Sequence, residues 1–65
     1  MENYYNMIWE LDAEYEDGTI INETRPYDNS KDEADQQYEL ECELIEENSY
    51  SFGKYTYYSV ALVYD

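Results

Sequence analysis

Carboxylates are the side chains that could carry out most of the chemistry in this chain. It has 17 Asp and Glu against three Lys and Arg, and no His, in 65 residues. One group occupies every second position of a single segment: Glu10, Asp12, Glu14 and Glu16. On a strand these carboxylates would share one face and follow one another at about 6.8 Å. Phosphates along one DNA strand are about 7 Å apart through space, so the row has the charge and spacing of a nucleic-acid backbone.

A second acidic group recurs at intervals of three or four residues, which is the spacing of one side of a helix, and two further carboxylates flank it. Its members are Asp32, Asp35, Glu39, Glu43, Glu46 and Glu47. Helical spacing of this kind separates carboxylates by about 4.5 to 6 Å of rise. We interpret both groups as phosphate mimics that bind a basic groove. The alternative is that both are ordinary solvated faces, but the scarcity of Lys and Arg favours mimicry.

The remaining residue types argue against an enzyme. The residues that nucleophilic catalysis usually requires are missing, because the chain has no His and its single Cys42 has no neighbouring base. Zinc would require clusters of Cys or His. So small a domain can hardly enclose a substrate between two carboxylates. We expect no enzymatic activity, no cofactor and no bound metal.

Length and charge limit the partners that the protein can have. Residues 1–65 make one domain, and a chain of this size leaves on the order of 40% of its unfolded surface exposed, which a homodimer would reduce. A net charge of −14 repels nucleic acid and anionic membranes, so the expected partner is a basic protein. A lone Cys, no signal peptide and no apolar run of about 20 residues predict a cytoplasmic location.

Alternating hydropathy predicts the strands. Residues 5–15 place alternate side chains on a core face: Tyr5, Met7, Trp9, Leu11, Ala13 and Tyr15. Asp17-Gly18 predicts a hairpin turn into a second strand over residues 19–25. The hairpin loop could have two or three residues. Its length decides whether Ile20 or Ile21 faces the core, and the sequence leaves both choices open. Residues 55–64 predict a third strand, with Tyr58, Val60, Leu62 and Tyr64 on one face.

A helix is predicted between the second and third strands. Ser30 and Glu33 have the spacing of a capping box, and good helix formers follow to about Glu47. Its expected apolar stripe is Ala34, Tyr38, Cys42 and Ile45, with Leu44 beside it. Residues 38–44 also alternate strictly, so a strand is the rival interpretation, and residues 48–53 are expected to form a loop. The predicted fold is α+β: a β-β-α-β domain, with an antiparallel three-stranded sheet and one helix packed on one face.

Aromatic side chains distinguish this chain from a disordered acidic tail. It has ten Tyr, one Trp and one Phe, which supply the apolar surface that such tails lack. We assign five of them to the core: Trp9, Tyr5, Tyr15, Tyr38 and Tyr58. Others are candidates for apolar anchors at a binding surface, since aromatic residues dominate many binding hot spots. The candidate anchors lie in loops or on the second sheet face, and they are Phe52, Tyr50 and Tyr27, with Tyr55 and Tyr57.

The two acidic groups and the predicted order of elements resemble the small acidic DNA-mimic proteins of phages, which block host DNA-acting enzymes. The closest likeness in character is to uracil-DNA glycosylase inhibitors. In that family an acidic edge follows the enzyme's DNA-binding groove, and a hydrophobic pocket or a phenylalanine captures an apolar residue of the enzyme. The resemblance implies an inhibitor in the cytoplasm of an infected bacterium, with residues 10–16 and 32–47 as its acidic elements and Phe52 as its only phenylalanine. The Glu-Ser dipeptide of one branch is absent here.

Two other functions are consistent with the same residues. An anti-CRISPR or anti-restriction protein would use the same mimicry against an RNA-guided nuclease or a restriction enzyme. A plain interaction module would bind a basic protein partner through its tyrosines rather than through phosphate-like charge.

Overall fold

The computed structural model describes residues 7–64, in which the α+β architecture is confirmed. The elements are β1 (Met7–Tyr15), β2 (Ile20–Pro26), α1 (Glu33–Cys42), α2 (Ser49–Phe52) and β3 (Tyr55–Tyr64). A π-helical segment, Glu43–Glu47, directly continues α1. The strands form one antiparallel sheet in the order β2-β1-β3, so β1 is central and the helical segments cover one face.

The hairpin between β1 and β2 has a three-residue loop, residues 16–18, closed by the N–H of Tyr15 donating to Thr19 at 3.0 Å. The N–H of Gly18 donates back to Tyr15 at 2.9 Å, and Gly18 has φ +93°, where glycine is favoured. This loop settles the register. Ile21 packs against the core and Ile20 is 69% exposed.

The core lies between the sheet and the helical segments. It contains alternate residues of β1 together with one helical leucine: Trp9, Leu11, Ala13, Tyr15 and Leu44. The inward side chains of β3 pack around them, namely Tyr58, Val60 and Leu62. The alternation predicted for β1 is therefore confirmed from Trp9 onward. Met7 is half-buried like its neighbour Ile8, and the prediction for Tyr5 falls outside the described residues.

The buried face of the helix is not the one that the apolar pattern predicted. Tyr38, expected in the core, is 68% exposed, and Ala34 is also exposed. Gln36, Leu40 and Leu44, at intervals of four residues, face the sheet instead. The stripe prediction was wrong because a glutamine occupies a core position, which hydropathy alone assigns to solvent.

Gln36 can be buried because every hydrogen-bonding position of its amide is used. Its Oε1 accepts from the indole N–H of Trp9 and the backbone N–H of Asp28, both at 2.9 Å. Its Nε2 donates to the backbone carbonyls of Asp28 at 2.8 Å and Lys31 at 3.1 Å. Four bonds satisfy the amide and join the helix to both β1 and the preceding loop.

The start of the helix also differs from the prediction. Asp32 is the residue before the first turn, and no side chain caps that turn. Ser30 is engaged elsewhere, since its N–H and its hydroxyl both donate to Asp28 Oδ1, at 2.9 and 2.6 Å. This local turn replaces the predicted capping box. The helix itself is confirmed against the rival strand, because residues 33–47 are helical throughout.

The π-helical segment ends the long helix. Its wider turn is closed by the N–H of Asn48 donating to Glu43 at 2.9 Å. The carbonyl of Leu44 accepts a bond from the Tyr15 hydroxyl at 2.9 Å, which fixes this turn to the sheet. Residues 49–52, predicted as part of a loop, form the short helix α2.

Candidate functional site

The face of the sheet away from the helices carries an acidic row on its central strand. Glu10, Asp12 and Glu14 alternate with the buried residues of β1, so they point to the open side. The cross-strand neighbours of this row are Thr24, Asn22 and Ile20 on β2 and Ala61, Ser59 and Tyr57 on β3. None of these neighbours is charged. The row therefore stands on a strand that is fixed on both sides, without a basic side chain opposite any of its carboxylates.

The three carboxylates differ in exposure. Glu10 and Glu14 are exposed, whereas Asp12 is half-buried and accepts a hydrogen bond from the side-chain amide of Asn22. Because β1 has regular register with both neighbours over this stretch, the strand repeat sets the spacing of the carboxylates at about 7 Å. The geometry is that of a short linear array of anions.

Glu16 does not continue this row. It lies beyond β1 in the hairpin loop, where its N–H donates to the Lys54 carbonyl at 2.8 Å. Its Oε1 accepts the Lys54 backbone N–H at 3.0 Å. These bonds tie the hairpin to the start of β3. Glu16 continues the alternation in the sequence, but β1 ends at Tyr15. The alternating pattern alone does not show where the strand ends.

The helix carboxylates lie on the other side of the sheet from the acidic row. Most are exposed, and Glu43 is half-buried; the six predicted members are Asp32, Asp35, Glu39, Glu43, Glu46 and Glu47. The sequence interpretation placed both acidic groups in one groove. The structure separates them, because the helices cover the face of the sheet opposite the row.

Basic side chains neutralise part of the helix side. Arg25 contacts Glu43 at 2.7 Å and Glu23 at 2.8 Å, and Lys31 contacts Glu39 at 3.1 Å. The hydrogen bond to Glu23 is the main cause that raises the pKa of Arg25, and the bond to Glu39 raises the pKa of Lys31. Two of the three cations of the chain thus pair with carboxylates on the helix side of the sheet, and neither of these cations pairs with the central row.

Three of the candidate anchors lie in different surroundings. Tyr27 stacks on Trp9 with ring centroids 6.3 Å apart, and Phe52 packs on Tyr15 at 5.3 Å, so these two rings belong to opposite ends of the core. Tyr50 is 94% exposed. Ile20 and Tyr57 are exposed apolar side chains next to the acidic row. Tyr57 was already among the aromatic residues expected in loops or on this face, whereas the position of Ile20 depended on the hairpin register, which the sequence left open.

A cavity of about 480 Å³ opens on the helix side of the sheet. Its lining includes Trp9, Tyr27, Leu40, Arg25 and Lys31. The full lining combines apolar surface with two cations and two carboxylates, so its formal charges balance, unlike those of the acidic row.

Within residues 7–64, no group of three or more Cys, Asp or Glu is placed to hold a metal ion, and no helix is long and apolar enough to cross a membrane. Comparison with protein-family models, curated proteins and solved structures finds no match.

Proposed function

We propose that this protein is a DNA-mimic inhibitor whose open sheet face occupies the basic DNA-binding groove of a DNA-acting enzyme. The observation that carries the proposal is the row of Glu10, Asp12 and Glu14 on the central strand, with no basic side chain among its cross-strand neighbours. Uracil-DNA glycosylase is the favoured target, on the resemblance in charge and in order of elements.

Rigidity is what makes such a row an effective mimic. A central strand is held by hydrogen bonds on both sides, so the carboxylates need little ordering when they meet a groove lined by Lys and Arg. Binding by a pre-organised surface loses less conformational entropy than binding by a flexible acidic tail. The large negative charge also accelerates encounter with a basic groove, in a manner that salt weakens.

Selection of one target requires contacts other than charge. Ile20 and Tyr57 flank Glu14 on the open face and are 69% and 54% exposed. We propose that this apolar pair makes the anchoring contact, in place of the half-buried Phe52 and Tyr27. An apolar contact beside the charged row would favour a groove that carries a projecting apolar side chain.

The proposal is tested by titrating uracil excision by a bacterial uracil-DNA glycosylase with the full chain, at low and moderate salt. Stoichiometric loss of activity, together with a complex on gel filtration, supports both target and mechanism. Full activity at excess protein excludes this target. The same titration of a restriction enzyme or an RNA-guided nuclease then tests the mimicry against the alternative targets.

A plain interaction module is the second candidate function. Two exposed tyrosines on the helix side favour it, Tyr38 at 68% and Tyr50 at 94%. Such a module would bind a basic protein through these rings, so Tyr38→Ala with Tyr50→Ala would abolish binding. Under the mimicry proposal that pair of substitutions leaves inhibition unchanged.

A further inference from the structure

The outer edge of β3 is the longest charge-free part of the chain. Tyr55–Tyr64 contains no Asp, Glu, Lys or Arg, although 31% of the whole sequence is charged. In the order β2-β1-β3 this strand ends the sheet, and no other described strand pairs with its outer side. Ten residues make an edge about 33 Å long. Proteins normally protect such an edge with charge, proline or a bulge.

The opposite edge shows that protection. β2 has seven residues, carries Glu23 and Arg25, and ends at Pro26. The one irregularity of β3 is a shift in its pairing opposite Glu14 and Tyr15, at its first residues. From Tyr57 to Tyr64 the strand is regular and has no charged residue, proline or bulge of its own.

The hydrogen bonds at the hairpin show which backbone groups of β3 point outward. Tyr15 bonds toward β2 through its N–H and carbonyl, whereas the N–H of Glu16 bonds toward Lys54 on the β3 side. Along an antiparallel strand, the backbone N–H and C=O groups of successive residues point alternately to one neighbouring strand and to the other. The backbone groups of Glu10, Asp12 and Glu14 therefore point to β3, like the N–H of Glu16. Their partners on β3 are Ala61, Ser59 and Tyr57. The backbone groups left pointing outward are those of Tyr58, Val60, Leu62 and Tyr64.

We propose that the β3 edge pairs antiparallel with the β3 edge of a second copy of this chain, which continues the sheet to six strands. The β3 edge can bind an equally acidic partner, because neither copy of β3 brings a carboxylate into the contact. Three strand spacings, about 14 Å, would separate the two acidic rows. That distance exceeds the screening length of about 8 Å at physiological salt, so the rows repel each other weakly.

The absence of charge on this edge also favours a second copy over a basic partner. A basic strand would bind more strongly to the carboxylates of the open face than to the β3 edge, which has no carboxylates. A second copy gains the outward hydrogen bonds and contacts between half-buried apolar side chains, such as Val60 and Leu62 on the helix side and Ala61 and Val63 on the open side. Antiparallel pairing keeps both open faces on one side of the sheet. The inference is independent of the proposed function, because it concerns the protein without any target.

The test is sedimentation of the full chain over a concentration series at low and high salt. A dimer of two 7.9 kDa chains, about 16 kDa, is expected, and added salt should strengthen it because the two copies have like charge. Chemical synthesis of this short chain allows one backbone nitrogen to be methylated. N-methylation at Val60 removes an outward donor and should weaken the dimer by about a hundredfold or more, since it also blocks close approach of the partner strand.

N-methylation at Thr24 is the matched control, because the backbone of Thr24 points outward from the protected β2 edge. It should leave the dimer unchanged. A monomer at every concentration overturns the proposal, and so does a dimer that survives methylation at Val60 or is lost equally with methylation at Thr24.

Hydrogen exchange of the unmodified protein gives a second test that needs no variant. The amides of Val60 and Leu62 should exchange slowly at concentrations where the dimer forms and faster on dilution, while the Thr24 amide exchanges fast throughout. Fast exchange of Val60 and Leu62 in a dimer would place the contact elsewhere and overturn the proposal.

Discussion

The indole N–H of Trp9 donates to Oε1 of Gln36 at 2.9 Å, and both side chains are buried. This bond joins the central strand to the helix across the core. It explains the orientation of the helix, because Gln36 must face the sheet to reach the indole. Tyr38 is consequently turned to solvent and Leu40 toward the core.

Replacement of this amide tests its structural role. Gln36→Met preserves much of the side-chain volume but leaves the Trp9 N–H without an acceptor, and an unsatisfied buried donor costs about 1–3 kcal/mol. We expect that loss in the free energy of unfolding, measured by urea titration with Trp9 fluorescence. Gln37→Met, at the next position of the same helix, is the control and should change stability by less than about 0.5 kcal/mol.

The Tyr15 hydroxyl stabilises the π-helical segment. Tyr15→Phe removes its bond to the Leu44 carbonyl and should cost about 0.5–1.5 kcal/mol. Tyr57→Phe makes the same chemical change on the open face and should have little effect on unfolding. Equal effects of the two substitutions would show that the hydroxyl of Tyr15 has no special role.

Gly53 and Gly18 both have positive φ, but they differ in the space around them. A Cβ at Gly53 would lie 2.5 Å from Glu16 Oε1, whereas nothing lies within 4 Å of one at Gly18. Gly18→Ala should cost about 1–2 kcal/mol from backbone strain alone. Gly53→Ala should cost more, because the Glu16 carboxylate must also leave the Lys54 N–H. Glu16→Ala in the same chain should recover part of that excess, and full additivity in the double-mutant cycle would contradict this explanation.

Asp28 should titrate below its usual range. The Ser30 hydroxyl, and then the Ser30 N–H, donate to its carboxylate and lower its pKa. A lowered folded-state pKa contributes stability above the unfolded value of about 3.9, and this contribution is lost as pH falls through the folded-state pKa. NMR titration should show Ser30→Ala moving the Asp28 pKa upward. Asn29→Ala should not move it.

The sequence was sufficient for features that depend on local pattern. β1 and β3 follow from alternation, and the helix from composition. The phase of the helix was not predictable, since it depends on a long-range bond from Gln36 to Trp9 that makes a polar residue part of the core. The choice of Ile21 over Ile20 required the loop geometry at Gly18.

The candidate site was predictable only in part for a similar reason. Alternation placed Glu10, Asp12 and Glu14 on one face, and the structure has them there. Periodicity within each element says nothing about the relative placement of two elements. The opposite positions of the acidic row and the helix carboxylates follow from which face of the sheet the helix covers, and only the fold shows that.

Under the proposed function, the position of the acidic row, rather than the total charge of the protein, should determine the strength of inhibition. Two triple variants test it, each changing the net charge from −14 to −11 by removing three carboxylates. Glu10→Gln, Asp12→Asn and Glu14→Gln remove the row, whereas Asp35→Asn, Glu46→Gln and Glu47→Gln remove exposed carboxylates of the helix side. Circular dichroism confirms that both variants are folded before they are compared.

The measurement is the inhibition constant of each variant against uracil excision by bacterial uracil-DNA glycosylase at moderate salt. We expect that loss of the row weakens inhibition by about a hundredfold or more, which corresponds to a loss of about 2.8 kcal/mol of binding free energy. The helix variant should stay within about threefold of the unmodified protein. Equal losses of inhibition in both variants, or a larger loss in the helix variant, would show that the acidic row is not the inhibitory surface.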